Sequence, residues 1–220
     1  MKTEPRYRLI VFDWDGTLMD SASGIAACIQ EASREMGLPV PTLERARHVI
    51  GLGLHDSLRT AVPELPESGY AAFADLYRKH FLARETGMVL FPGVGELLRG
   101  LCDAGYALAV ATGKSRRGLD RALAASDLQS YFVASRCADE TNPKPHPAML
   151  NELMRERAYE PRDLLMIGDT SHDLEMAANA GVDAVAVTYG AHPGDVLRAR
   201  TPKGVVSSIP ELGAWLETHG

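Results

Sequence analysis

Residues 9–18 read LIVFDWDGTL, an apolar run that leads directly into two aspartates and a glycine. The apolar residues from Leu9 to Phe12 are typical of a strand that is buried on both faces of a parallel sheet. In open α/β sheets, ligands bind beyond the carboxyl ends of the strands. Asp13 and Asp15 therefore emerge where chemistry is expected, and Gly16 lets the chain turn sharply away.

Two other interpretations apply to this run. The first is an Asx-type turn that ends a strand, and it stays open at this point. The second is a calcium-binding loop, which needs a glycine at its sixth position and a glutamate at its twelfth. Counting from Asp13, those positions hold Leu18 and Gly24, so the sequence argues against a calcium loop.

Downstream of residue 90, apolar runs alternate with helical patterns. This alternation is typical of βαβ units and a parallel sheet. We therefore expect an α/β fold with a doubly wound, Rossmann-like parallel sheet. The predicted strands are 107–111, 131–133, 164–167 and 184–187, and the predicted helices are 94–104, 115–125, 146–157 and 174–180.

The segment that follows the first strand has a different pattern. A helical periodicity over residues 21–36 stops at Gly37, and a broken helical pattern continues over residues 42–85. No part of it has the pattern of a strand. We therefore divide the chain into an α/β core, residues 1–18 and 89–220, and an all-helical insertion, residues 19–88.

Composition narrows the classes of partner. The apolar fraction of 45% and the charged fraction of 24% are ordinary for a globular protein. The net charge is −6 and no basic cluster is present, so we expect no nucleic acid and no membrane surface as partner. Three widely spaced cysteines suit reduced thiols in a cytoplasmic protein. We expect no signal peptide and no segment that spans a bilayer.

Polar residues follow the next three predicted strands of the core. Thr112 and Gly113 follow the predicted strand 107–111, and Lys144 lies downstream of the predicted strand 131–133. Asp169 and Asp173 follow the predicted strand 164–167. Taken singly, each has a structural explanation: a helix cap, a solvated lysine, or acids in the first turn of a helix. All of them at one edge of one predicted sheet are better explained by a shared site.

These residue types suit phosphoryl transfer with a metal ion. Asp13, Asp15 and Asp169 offer hard oxygen ligands, which favour Mg²⁺ over a soft metal. Crowded carboxylates repel one another unless a cation lies among them. Asp173, one helical turn beyond Asp169, can face the same way and support the metal shell. The expected cofactor is therefore Mg²⁺.

The remaining groups suit the phosphate itself. Thr112, the Gly113 N–H and Lys144 supply hydrogen-bond donors and positive charge for phosphate oxygens. A carboxylate nucleophile can form an aspartyl-phosphate, which splits one difficult step into two. A second carboxyl two residues further on can protonate the leaving oxygen and later deprotonate water.

The order of these motifs resembles the four motifs of the haloacid dehalogenase superfamily of hydrolases. They are the aspartate motif at residues 13–17, the strand-end Thr112, Lys144, and the motif at residues 168–173. The helical insertion resembles the cap of the phosphoglycolate phosphatase-like branch, as do residues 91–94 and 177–181. The resemblance covers nearly the whole chain.

The resemblance implies roles for individual residues. Asp13 would be the nucleophile and a ligand of Mg²⁺. Asp15 would be the general acid and base, with its backbone carbonyl on the metal. Asp169 would be a further metal ligand, with Asp173 beside it.

The same resemblance assigns the phosphate-binding groups. Thr112, together with the neighbouring Gly113, would bind the phosphoryl oxygens. Lys144 would neutralise charge on Asp13 and on the phosphoryl group. Trp14 departs from the family pattern, in which a smaller aliphatic residue is usual, and we interpret it as a change in packing.

The expected function is that of a phosphatase acting on a small phosphorylated metabolite. Phosphoglycolate is the first substrate that the resemblance suggests, followed by a sugar phosphate. A phosphomutase of the same superfamily is an alternative, because it shares Asp13 and Asp15. A non-catalytic regulatory protein that binds a phosphometabolite is another. The sequence does not determine the oligomeric state.

Specificity is expected to come from the helical insertion. Gly51 and Gly53 interrupt a helical pattern there and predict a tight loop, which by resemblance faces the active site. Arg45, Arg47 and His55 lie near it and could bind a carboxylate or a second anionic group of the substrate. Alternatively, the glycines only join two helices and these side chains are solvated.

Overall fold

A computed structural model describes residues 6–220, so residues 1–5 of the expected core lie outside the described residues. Two sheets contain eight strands in this range. The strands are β1 Leu9–Phe12, β2 Met19–Asp20, β3 Val89–Leu90, β4 Ala107–Thr112, β5 Ala134–Cys137, β6 Leu164–Gly168, β7 Asp183–Val187 and β8 Gly204–Val206.

Helices fill both the core and the insertion. They are α1 Ala22–Glu35, α2 Leu43–His48, α3 Leu54–Ala61, α4 Tyr70–Glu85, α5 Val94–Ala104, α6 Arg116–Ser126, α7 Ala148–Arg157, α8 Ser171–Ala180, α9 Gly194–Arg198 and α10 Ile209–His219. Three short 3-10 turns accompany them at residues 67–69, 129–131 and 161–163. Within the described range, no helix has both the length and the apolar character needed to cross a bilayer.

The larger sheet has six strands in the order β5-β4-β1-β6-β7-β8, and all its pairs are parallel. Strand β1 lies between β4 and β6. Phe12, its last residue, is in register with Val110 and Ile167. The predicted α/β parallel sheet is confirmed. The register explains why residues that follow these three strands meet at one edge.

Successive residues of β1 pack on opposite faces of this sheet. Ile10 and Phe12 belong to the apolar cluster that includes residues of α5, α6 and α10. Leu9 and Val11 belong to the cluster that includes residues of α7 and α8. Both faces are therefore covered by helices, which is the reason the strand is apolar throughout.

The helical insertion has an apolar cluster built mostly from its own helices, α1 to α4. Where the chain leaves and re-enters the core, β2 and β3 form a short antiparallel pair, with Met19 opposite Leu90. The sequence analysis missed this pair because two residues are too few to show an alternation.

One predicted strand was wrong. Residues 131–133 do not form a strand; a 3-10 turn covers Gln129–Tyr131, and the strand follows at β5. Phe132 packs against the core cluster from this turn. The less apolar β5 pairs with β4 at the edge of the sheet, with Cys137 opposite Thr112. The sequence analysis also omitted β8, α9 and α10.

Candidate active site

The ends of β1, β4 and β6 bring the motif residues together. Asp13, Thr112 and Asp169 follow or end these strands, and each is at most 1% exposed. Gly16 has φ +81°, and a Cβ there would overlap the Asp169 carboxylate. The Thr17 hydroxyl donates a hydrogen bond to Asp169 Oδ1 at 2.8 Å. The turn after β1 therefore needs a glycine so that it can approach β6.

Lys144 is fully buried and lies between two carboxylates. Its Nζ is 2.8 Å from Asp13 Oδ1 and 2.6 Å from Asp173 Oδ1. Burial raises the pKa of Asp13 to about 7, although the Lys144 ammonium opposes this rise. Burial also lowers the pKa of Lys144, but the two carboxylates outweigh it and hold that pKa above its ordinary value. Lys144 is thus a charged group in the site and not a solvated loop lysine.

The Asp173 carboxylate caps helix α8 and also contacts Lys144. Its Oδ2 accepts a hydrogen bond from the Thr170 N–H at 3.0 Å, and the Asp173 N–H donates to the Thr170 hydroxyl at 3.4 Å, which forms a capping box at the start of α8. Its other oxygen contacts Lys144. The cap holds the carboxylate beside the lysine, so a capping role of Asp173 is compatible with a place in the site.

The carboxylates at this edge fit a hard cation. Asp13, Asp169 and Asp173 each offer an oxygen, and these atoms all lie within 4.8 Å of one another. Asp13 Oδ2 is buried and accepts no hydrogen bond from residues 6–220. Burial, with the added charges of Asp13 and Asp173, raises the pKa of Asp169 well above its ordinary value. A bound Mg²⁺ would relieve this repulsion.

The Asp15 side chain points away from this carboxylate group. Its oxygens lie 2.9 and 2.8 Å from Lys114 Nζ, and Oδ1 accepts a hydrogen bond from the Ser21 hydroxyl at 2.7 Å. The Asp15 carboxylate is therefore engaged by Lys114 and Ser21 and is not one of the three carboxylates that lie within 4.8 Å of one another.

Lys114 is a site residue to which the sequence analysis gave no role. It follows Thr112 and Gly113 directly, and this position was the available signal. Its ammonium also lies 4.8 Å from the centre of the Phe81 ring on α4. Lys114 therefore connects the core carboxylate Asp15 to the helical insertion.

The loop between α2 and α3 lies over Asp13. Gly51 has φ +91°, and a Cβ there would lie 3.9 Å from Asp13 Oδ2. A Cβ at Gly113 would be 2.6 Å from the Gly51 carbonyl oxygen. The two glycines thus allow the backbone of the insertion to approach the end of β4 closely.

The three cationic candidates of the insertion do not line the cavity beside Asp13. The Arg47 guanidinium donates hydrogen bonds to the carbonyls of Gly190 at 2.6 Å and Ala191 at 3.3 Å, both in the core. The exposed His55 packs its ring against Tyr70, with centroids 5.3 Å apart. Arg45 is exposed. The geometry gives none of them contact with a substrate in this cavity.

Three histidines meet where the insertion contacts the core. The Nε2 atoms of His172 and His192 lie 2.7 and 3.0 Å from the His48 carbonyl oxygen at the end of α2. The Ser171 N–H donates to His192 Nδ1 at 3.0 Å, so Nε2 carries the ring proton. That proton is directed at the His48 carbonyl, which prevents this nitrogen from binding a metal.

Both core histidines of this contact are kept neutral. Burial lowers the pKa of His172, and it lowers the pKa of His192 to about 4. A neutral ring donates one hydrogen bond and carries no charge that would need a buried counter-ion. Together with Arg47, these rings hold the end of α2 on the core.

Comparison with known proteins agrees with this geometry. A family model described as haloacid dehalogenase-like hydrolase matches residues 10–187. The chain is 38% identical over 210 residues to the probable phosphatase IndB of Dickeya dadantii, covering 93% of this chain and 91% of that protein. It is 33% identical over 222 residues to a phosphoglycolate phosphatase of Vibrio vulnificus, covering 96% of each.

A solved structure shares the fold. The crystal structure of a predicted phosphoglycolate phosphatase from Haemophilus somnus 129pt superposes with a TM-score of 0.86 at 26% identity, covering 98% of this chain and 99% of that one. The strand-end motifs lie within the matched family region. The chain therefore belongs to the haloacid dehalogenase-like hydrolase family.

Proposed function

We propose that the protein is a Mg²⁺-dependent phosphatase that hydrolyses a small phosphate monoester through an aspartyl-phosphate on Asp13. The observation that carries this proposal is the Asp13 carboxylate, which belongs to a residue that lines the cavity and whose buried Oδ2 accepts no hydrogen bond from the described residues. The names of the two relatives support a phosphatase and make phosphoglycolate the first substrate to test. The three free cysteines support a cytoplasmic location.

The first half-reaction uses the groups at the strand ends. Asp13 Oδ2 attacks phosphorus while the bond to the ester oxygen breaks, and Asp15 donates a proton to that oxygen. Thr112 and the Gly113 N–H hold phosphoryl oxygens, and Lys144 balances the charge on Asp13. In the second half-reaction, Asp15 takes a proton from water, which attacks the aspartyl-phosphate and releases phosphate.

Three features of the site prepare these steps. Asp13 and Asp169 would hold Mg²⁺, with Asp173 beside them. When bound, the ion supplies positive charge that offsets the carboxylates and the phosphoryl oxygens. The Lys114 ammonium lies 2.9 and 2.8 Å from the two oxygens of Asp15, directly beside the group that transfers the proton. The loop at Gly51 covers the nucleophile and excludes bulk water from it.

The test is phosphate release from a panel of phosphorylated metabolites by the wild-type protein and by Asp13→Asn. We expect Asp13→Asn to keep the fold and to lower turnover by a factor on the order of 10³ or more, because an amide does not attack phosphorus. Chelation should abolish wild-type activity, and added Mg²⁺ should restore it.

Three outcomes would contradict the proposal. If the Asp13→Asn variant retains a tenth of wild-type turnover, Asp13 is not the nucleophile. Full activity after exhaustive chelation would exclude the metal. Transfer of the phosphoryl group between two positions of a sugar, with a requirement for a bisphosphate activator, would indicate a phosphomutase.

A further inference from the structure

The cavity beside Asp13 extends far beyond the space that a phosphoryl group needs. Its volume is about 520 Å³, which lies within the range of about 300–1,000 Å³ for sites that bind organic ligands. Asp13, Asp15, Thr112 and Gly113 line one part of it. The remainder is formed mainly by the helical insertion, so this part receives the group that leaves.

Three helices of the insertion supply an apolar wall to this cavity. The lining side chains recur at intervals of three or four residues, which places them on one face of each helix. They are Ile25 and Ile29 of α1, Leu54, Leu58 and Ala61 of α3, and Phe73, Tyr77 and Phe81 of α4. The rings of Tyr77 and Phe81 stack, with centroids 5.9 Å apart.

The polar groups next to this wall are mostly engaged already. The Ser57 hydroxyl donates to the Val49 carbonyl at 3.2 Å. The Lys114 ammonium contacts both oxygens of Asp15. Among the described residues the Tyr77 hydroxyl has no hydrogen-bond partner, and burial raises its pKa well above the ordinary value, so it stays a neutral donor.

The arginines that reach the cavity lie on its solvent side. Arg78 is 60% exposed and pairs with Asp75, and Arg121 is 36% exposed. Arg117 is exposed as well. The apolar side chains that form the wall carry no charge, so a charged group packed against them would lose its hydration without compensation.

We infer that the leaving group of the natural substrate is apolar, an aromatic or branched alkyl alcohol larger than glycolate, which packs against Ile29, Leu54 and the Tyr77–Phe81 pair. This inference rests on the proposed phosphatase function. An apolar leaving group gains from its removal from water, and an aromatic ring fits beside a stacked aromatic pair. A single hydroxyl or carbonyl on it can accept the hydrogen bond of Tyr77.

The first test compares two primary alkyl esters of phosphate that share the same C–O–P linkage. 2-Phenylethyl phosphate carries an apolar ring, and phosphoglycolate carries a carboxylate. We expect kcat/KM for 2-phenylethyl phosphate to exceed that for phosphoglycolate by about tenfold or more, the discrimination that small apolar contacts give. A value equal to or below that for phosphoglycolate overturns the inference and leaves the phosphatase standing. If no phosphate is released from either ester or from any other monoester of the panel, both the inference and the proposed phosphatase function are overturned.

A pair of matched leucines gives the second test. Leu54 is 48% exposed and lines the cavity, whereas Leu43 is 53% exposed and does not line it. Leu54→Ala should lower the ratio of kcat/KM for 2-phenylethyl phosphate over phosphoglycolate by about five- to tenfold. Leu43→Ala should leave this ratio at the wild-type value. A ratio that Leu54→Ala does not change would overturn the assignment of the wall to the leaving group.

Discussion

At the scale of the residue, the site depends on the buried charge of Lys144. A buried carboxylate without a partner is costly, and here two carboxylates share one ammonium at 2.8 and 2.6 Å. The lysine must therefore contribute to folding before any substrate binds. Asp13 follows β1 and Asp173 lies in the first turn of α8, so the lysine also fixes the spacing of these two segments.

Replacing Lys144 by methionine should destabilise the metal-free protein strongly. We expect the free energy of unfolding to fall by about 3–5 kcal/mol at pH 7.5, because Asp13 and Asp173 are left buried without a counter-ion. Urea unfolding in a chelator measures this loss. Lys79→Met is the control, since that lysine is 64% exposed and pairs with Glu35 at the surface. It should cost no more than about 1 kcal/mol. Equal losses in the two variants would contradict the structural role of Lys144.

At the scale of the element, the start of α8 is joined to α2 through His172 and His192. The pKa of His192 falls from 6.5 to about 4 in the folded protein. Between these pH values the unfolded chain binds more protons than the folded chain, so the free energy of unfolding decreases as the pH falls. Asp13, with its pKa raised to about 7, acts in the opposite direction.

A comparison of wild type with His192→Asn isolates the histidine. On acidification from pH 6.5 to 4, the wild-type protein should lose up to about 3 kcal/mol more stability than the variant. Urea unfolding at several pH values measures the difference. Nitrogen-15 spectra of the ring should show a neutral His192 with its proton on Nε2 at pH 5.5. An imidazolium signal at that pH would disprove the assignment.

At the scale of the whole molecule, the insertion is held on the core by few polar contacts. Arg47 donates to two core carbonyls, and hydrogen bonds from a charged group contribute about 1.5–3 kcal/mol each. We therefore expect Arg47 to act on the position of the insertion, since it does not line the cavity beside Asp13. Closure of the insertion would complete the cavity and align the ester with Asp13.

Arg47→Ala should shift the protein toward an open arrangement. We expect a larger radius of gyration by small-angle X-ray scattering and a fall in kcat/KM of about tenfold. Arg45→Ala is the matched control, because this exposed arginine lies two residues earlier on the same helix. It should leave both quantities unchanged. The same change in both variants, or no change in either, would contradict the role of Arg47.

Much of the fold, and the grouping of the candidate site residues at one edge of the sheet, could be predicted from the sequence. The run at β1 is apolar because helices cover both faces of the sheet, and this local pattern is visible in the residues themselves. Asp13, Thr112 and Asp169 could be placed together because parallel strands end at one edge. The predicted position of the edge strand β5 was three residues too early. An edge strand needs fewer apolar residues, and the aromatic residues that precede it pack against the core from a 3-10 turn.

The sequence by itself determined the parallel sheet, the helical insertion and the residues that meet at the strand ends, since each depends on periodicity or on position within a strand. Only the tertiary structure decided that Lys114 contacts Asp15, that Arg47 binds the core instead of a substrate, and that the cavity wall is apolar. The physical reason is that these contacts form where the insertion packs on the core. The hydrogen bonds of Lys114 and Arg47 join residues about 100 or more positions apart. The direction of such a long side chain depends on which groups the folded chain places next to it.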